Sequence, residues 1–104
     1  MYRVNVLYPA REGARFDMDY YVQKHVALVK SLMTEYGLGA VRVDGGMAGI
    51  APPGAASYVC IASFDFDSVE RAQQGLAAHG AAIFGDLPNF SDIQPVLQFS
   101  ESRL

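Results

Sequence analysis

The sequence predicts an α+β domain: a ferredoxin-like βαββαβ sandwich, with a four-stranded antiparallel sheet and two helices on one of its faces. Three observations carry this. Four segments alternate side chains with the two-residue period of strands. Two longer segments repeat apolar residues at helical spacing. The same Phe-Asp pair introduces each helix, at Phe16-Asp17 and at Phe66-Asp67. Two βαβ halves with right-handed crossovers then give this topology. The face of the sheet without helices needs a cover, and a second copy of the chain is the simplest one.

Residues 2–8 place Val4, Val6 and Tyr8 on one face and Arg3, Asn5 and Leu7 on the other, and Pro9 ends the strand. Asp17 suits an N-cap, since its carboxylate accepts orphan N–H groups, and Phe16 can staple onto Tyr21. Met18, Val22, His25, Val29, Leu32 and Tyr36 then form an apolar stripe, widened by Tyr21 and Leu28. Gly37 supplies the residue that ends the helix. Residues 40–47 are a second strand, with a bulge expected at Gly45-Gly46. Residues 48–56 are expected to be a flexible connection without chemistry. Residues 57–65 are apolar on both faces, which places this third strand centrally. Asp67 is expected to cap the second helix, in a capping box with Glu70. Val69, Ala72, Leu76 and Ile83 mark its buried side, and a break is expected near Gly80. Residues 86–94 are a loop, and 95–100 the last strand.

The chain has 104 residues, enough for one domain that buries a single core. Hydrophobic residues make up 51% and charged residues 18%, which favours either an oligomer or an apolar pocket. The net charge is −3 and no Lys/Arg stripe exists, which argues against nucleic acid as a partner. No apolar run approaches the roughly 20 residues a bilayer requires, so no membrane partner is expected. A single cysteine, Cys60, fits a reducing, cytoplasmic location.

His25 is the leading candidate for chemistry. On the apolar stripe it points between helix and sheet, where a histidine can move a proton. Equally, a histidine on an apolar face can be a core residue bonded to a backbone carbonyl. Tyr21, one turn earlier, reaches the same space. Tyr20 lies about 140° from His25 on an ideal helix and is expected on the outer flank. His79 is expected to cap the end of the second helix. Asp86, Asn89 and Asp92 read either as turn chemistry or as groups at a pocket rim. Neither histidine has metal-ligand spacing to a neighbour, and no glycine-rich phosphate loop precedes a helix, so no metal site and no cofactor are expected.

Three stretches together resemble the EthD family, which takes its name from ethyl tert-butyl ether degradation. They are Leu7-Tyr8-Pro9; Phe16-Asp17-x-x-Tyr20-Tyr21-x-x-x-His25; and Asp86-Leu87-Pro88-Asn89-Phe90-Ser91-Asp92-Ile93-x-Pro95. Many members place a proline two residues after the histidine, where this chain has Ala27. The resemblance implies the dimeric α+β-barrel fold, and a pocket between sheet and helices. It strengthens the case for His25 and Tyr21 as catalytic groups. An apolar substrate would then contact Val6, Tyr8, Phe64 and Phe84, with Asp86 and Asn89 nearby. Relatives in the superfamily include cofactor-free cyclases and monooxygenases, an isomerase and haem enzymes. Members are often called reductases, yet no nicotinamide or flavin site is legible here. Two functions follow: cofactor-free proton transfer on a small hydrophobic metabolite, or its binding without chemistry. Haem held by a histidine is a third.

Overall fold

Val4, Val6 and Tyr8 are buried together on one face of the first strand, as their alternation with Arg3, Asn5 and Leu7 requires. That strand is the start of a computed structural model that describes residues 1–104. In chain order the elements are β1 (Tyr2–Pro9), a composite helix α1, β2 (Leu38–Gly45), β3 (Gly49–Ile50), β4 (Pro53–Gly54), β5 (Tyr58–Phe66), α2 (Val69–Gly85) and β6 (Val96–Glu101). Helix α1 is α-helical over Met18–Tyr20 and Val26–Met33, with a π-helical turn at Tyr21–His25 and a 3-10 turn at Thr34–Tyr36. The main sheet has the order β2-β5-β1-β6 and is antiparallel throughout. This is the ferredoxin-like arrangement, and β5 is central as its two apolar faces indicate.

The core lies between this sheet and the two helices. β5 contributes Cys60, Ala62, Phe64 and Phe66; α2 contributes Ala72 and Ile83. Gly75 sets the approach of the helices. A Cβ there would stand 2.6 Å from Met33 Cε and 2.9 Å from Tyr36 Cγ, so only glycine allows this spacing. Gly37 ends α1 in the left-handed region at φ 90°. The Arg71 guanidinium ties the helices by donating to the Glu35 carbonyl at 2.5 Å.

The opposite face of the sheet is divided. One part is polar: Arg3 pairs with Asp65 at 2.6 Å, and Ser100 donates to Asn5 at 2.6 Å. The other part is apolar and formed by Leu7, Val59, Ile61 and Val96, of which Ile61 and Val96 are exposed.

Several local expectations are corrected. The buried stripe of α1 is Tyr21, His25, Val26, Val29 and Met33, while Val22 is 49% exposed. The π turn adds a residue to one turn and so rotates everything before it relative to everything after. In β2 the register shift falls between Leu38 and Val41, not at Gly45-Gly46, where the Gly46 N–H still donates to the Val59 carbonyl at 2.9 Å. Part of the 48–56 connection is an ordered hairpin of β3 with β4. Helix α2 passes Gly80 unbroken, because Gly80 is buried and packed rather than solvated. Its N-cap is Ser68, whose hydroxyl accepts from the Arg71 N–H at 3.0 Å. Asp67 instead binds the Arg71 guanidinium at 2.7 Å.

Candidate functional site

The site is assembled where the start of α1 meets the loop after α2. Asp17 caps α1, its Oδ1 accepting from the Tyr20 N–H at 3.0 Å. Phe16 packs on Tyr21 with ring centroids 5.3 Å apart, as a hydrophobic staple does. The helix then widens: the Val26 N–H reaches back to the Tyr21 carbonyl, an i→i+5 bond. In such a turn, residues five apart come onto neighbouring sides of the helix instead of lying far round it.

That widening corrects the expectation for Tyr20. Its side chain does not point away from the histidine. The Tyr20 hydroxyl donates to Asp86 Oδ1 at 2.7 Å, while His25 Nδ1 lies 2.9 Å from Asp86 Oδ2. Asn89 donates from its side-chain amide to Asp86 Oδ1 at 2.9 Å. One carboxylate therefore gathers three partners. It stands at the C-cap of α2, where its backbone N–H closes the helix end. A 3-10 turn, Leu87–Asn89, follows and folds Asn89 back onto it.

The rest of the loop is sewn to the entry of α1. The Asp17 N–H donates to the Phe90 carbonyl at 2.7 Å, and the Ser91 hydroxyl to the Arg15 carbonyl at 2.8 Å. The Arg15 N–H donates to Asp92 Oδ1 at 2.9 Å, and Arg11 pairs with Asp92 at 3.1 Å. Phe90 plugs the junction. It is fully buried against Tyr8, Phe16, Tyr20, Tyr21 and His25, with centroid distances of 4.7 Å to His25 and 5.0 Å to Tyr21. Tyr21 stacks on the His25 ring at 5.2 Å and an interplanar angle of 23°.

Burial works to raise the Asp86 carboxyl. The hydrogen bonds from Asn89, His25 and Tyr20, with the charge His25 can carry, outweigh it and leave the pKa below its ordinary value. Asp86 is thus an ionised carboxylate, which only accepts hydrogen bonds, so His25 Nδ1 must be the donor. In the neutral ring this leaves a lone pair on Nε2. Nε2 has no protein partner, and no side-chain nitrogen or oxygen is both sealed from solvent and unpartnered. Nε2 therefore opens onto accessible space although His25 is only 5% exposed.

His25 also lines an apolar cavity of about 50 Å³ between sheet and helices. His25, Tyr21, Tyr8, Val6, Phe64 and Phe84 all line it. Asp86 and Asn89 are not among the lining side chains; Asp86 meets the lining through its bond to His25, and Leu87 beside it is part of the wall. Burial pushes the Tyr8 phenol up to about 12 and raises Tyr21 further, with Tyr8 and Cys60 adding to the effect. Both phenols keep their protons over the working range and can donate them in hydrogen bonds. Burial likewise moves the Cys60 thiol up to about 12, which leaves it an inert core residue.

His79 does not end a helix; it sits within α2 with its ring edge-on to Tyr36 at 5.7 Å. No three His, Cys, Asp or Glu side chains group as metal ligands do, and no helix is long and apolar enough to cross a membrane. Two residues at the site escaped sequence reasoning. For Tyr20, ideal-helix geometry points outward and misses the π turn. Phe90 carried one signal, a large apolar side chain inside an otherwise polar loop.

Comparison with known proteins places this geometry in context. Residues 13–94 match the EthD domain family. The chain is similar to the crystal structure of an EthD-like protein from Ralstonia eutropha JMP134, at 41% identity and a TM-score of 0.90 over 96% of this chain and 89% of that one. An ethyl tert-butyl ether degradation (EthD) family protein from Bacillus halodurans C-125 superposes at a TM-score of 0.68 and 19% identity, over 99% of each chain. A dimeric ferredoxin-like protein from an uncultured marine organism shares the fold at a TM-score of 0.51 and 11% identity, covering 100% of this chain and 98% of that one. No curated protein matches. The matched segment holds the cap of α1, His25 and most of the loop that carries Asp86, and on that match the chain belongs to the EthD family.

Proposed function

We propose that this protein is a cofactor-free proton-transfer catalyst acting on a small hydrophobic carbonyl compound or phenol, in a degradative or secondary-metabolic pathway. One observation carries the reading: His25, bonded to Asp86 through one ring nitrogen, lines an apolar cavity, and we read the other nitrogen as facing that cavity. Nε2 is placed to take a proton from the carbon next to a carbonyl. The electron pair of that C–H bond moves onto the carbonyl oxygen as an enolate, stabilised by a phenol O–H of Tyr21 or Tyr8. Returning the proton to another atom completes an isomerisation or ring closure. General base catalysis of this kind contributes about 10²–10⁴-fold. Hydride transfer has no comparable support from these residues.

The working unit in this reading is a homodimer in the cytoplasm. Its interface is the helix-free face of the sheet, where Leu7, Val59, Ile61 and Val96 form an uncovered apolar strip. The dimeric ferredoxin-like relative favours the same assembly. The lone buried thiol of Cys60 is compatible with a reducing compartment.

A simple exchange assay tests the chemistry. Deuterium incorporation next to the carbonyl of acetophenone, followed by NMR in D₂O, should be accelerated by the wild-type protein and fall at least about 10²-fold in His25→Gln. Equal rates for the two proteins would contradict a role for His25. Absence of acceleration by the wild type, with binding retained, would favour the alternative of a non-catalytic binding module.

A further inference from the structure

The cavity beside His25 is too small to be the whole binding site. About 50 Å³ admits only the head of a molecule, whereas small-molecule sites usually run to roughly 300–1,000 Å³. A second space adjoins it. Phe84, Leu87 and Leu97 line the cavity and also line an outer cleft of about 350 Å³, bounded further by Pro88, Gln94 and Pro95. Phe84 is 46% exposed and Leu97 37% exposed at this junction. Neither lining contains an Asp, Glu, Lys or Arg.

Resting on the proposed role of His25, we infer that the ligand is a neutral, elongated molecule. Its carbonyl or phenolic head sits at His25, and its apolar tail leaves between α2 and β6 to lie in the outer cleft. Charge decides the first part. A carboxylate, phosphate or ammonium group would be desolvated among these residues with no Asp, Glu, Lys or Arg to meet it, and the charge His25 can carry is already met by Asp86. Adjacency decides the second: the same three side chains line both spaces, so a tail that passes them enters the outer cleft. The cleft also lies clear of the surface assigned to a second copy of the chain. Leu97 is paired with Val6, which faces the helices, so it lies on the helix side of the sheet and not on the face proposed for the dimer. Gln94 is exposed and lines the outer cleft but not the inner cavity, so it reports on a tail that has entered the cleft.

Two homologous series test this on the full-length wild-type protein: alkyl phenyl ketones from acetophenone to octanophenone, and phenylalkanoates of matched length. Binding is measured by isothermal titration, with NMR shifts of the Gln94 side-chain amide as the positional readout. The dissociation constant of the ketones should fall about three- to fourfold per added methylene until the cleft is full. Long ketones should shift Gln94 and acetophenone should not, while matched carboxylates bind at least about tenfold more weakly. Affinity independent of chain length, carboxylates equal to ketones, an unmoved Gln94 under bound long ketone, or no ketone binding would each overturn the inference. His25→Gln separates this from the chemistry. A preserved chain-length slope with lost deuterium exchange supports the ligand shape on its own terms. A lost slope in a wild type that still exchanges overturns the shape and leaves the proton-transfer reading standing.

Discussion

The two helices begin with the same dipeptide and use it differently. At the first, Asp17 caps the helix and Phe16 staples it, and the helix then widens to bring Tyr20 and His25 to a common carboxylate. At the second, Ser68 does the capping, Asp67 turns outward to Arg71, and the helix runs unbroken for 17 residues. A repeated motif marks a repeated topology, but its side chains answer to their surroundings. The first half of the chain spends its irregularity on a site. The second half supplies that site with a rigid wall and with Asp86 at its end.

This contrast can be tested by substitution. The largest effect is expected at Phe90, the plug between the loop and α1. Phe90→Ala should cost about 3–5 kcal/mol in urea denaturation, since the ring is fully buried among five aromatic partners. It should also loosen Tyr20 and His25 together, visible as broadened NMR signals from both. A loss well under that range would mean that the loop is held by its backbone bonds alone.

Asp86 comes next. Asp86→Ala leaves His25 Nδ1, the Tyr20 hydroxyl and the Asn89 amide without their shared acceptor, at a cost of about 1–3 kcal/mol. The pH dependence has a defined sign. The folded-state pKa of Asp86 lies below its unfolded value. Its contribution is therefore present above the ordinary carboxylate range and lost as pH falls through the folded value. Asp86→Ala should accordingly flatten the acid limb of the stability curve below the ordinary value of 3.8. An unchanged acid limb would show that Asp86 is not held ionised by these partners.

The smallest effects separate the two helix starts directly. Asp17→Ala and Ser68→Ala should each cost about 1 kcal/mol, the usual value of an N-cap. Asp67→Ala removes only a solvent-exposed ion pair and should cost about 0.5 kcal/mol or less. If Asp67→Ala proved the costlier of the second pair, the capping assignment would be reversed.

These contrasts also explain what could be read from the chain. Alternation in Val4-Val6-Tyr8 and in Cys60-Ala62-Phe64 reports burial on one face of a sheet, and that pattern is local. So is the Asp17 cap. The same patterns turn Val6, Tyr8, Phe64 and His25 toward the space between sheet and helices, whereas a pocket there was implied only by the family resemblance. The π turn was not legible, because local periodicity assumes a regular helix and does not report the acceptor, 61 residues from His25, that Tyr20 and His25 share. Without it, ideal-helix spacing assigns Tyr20 to the wrong side and makes Val22 part of the buried stripe. Gly80 reads as a weak point because propensity counts its missing side chain, whereas it is buried, as is Gly75, which sits where Met33 and Tyr36 need the room. The choice between Asp67 and Ser68 as cap turned on Arg71, which offers Asp67 a better partner than the helix end does.

The central claim is that Asp86 fixes the His25 tautomer and so directs a basic Nε2 into the cavity. ¹⁵N NMR of the imidazole nitrogens in wild type and Asp86→Asn tests it most directly. In the neutral wild-type ring the proton should reside on Nδ1 and Nε2 should show the shift of a bare nitrogen. In Asp86→Asn, Tyr20 and Asn89 should claim the amide oxygen and turn its NH₂ toward Nδ1, moving the ring proton to Nε2. A wild-type ring protonated on Nε2, or a tautomer indifferent to the substitution, would contradict the account.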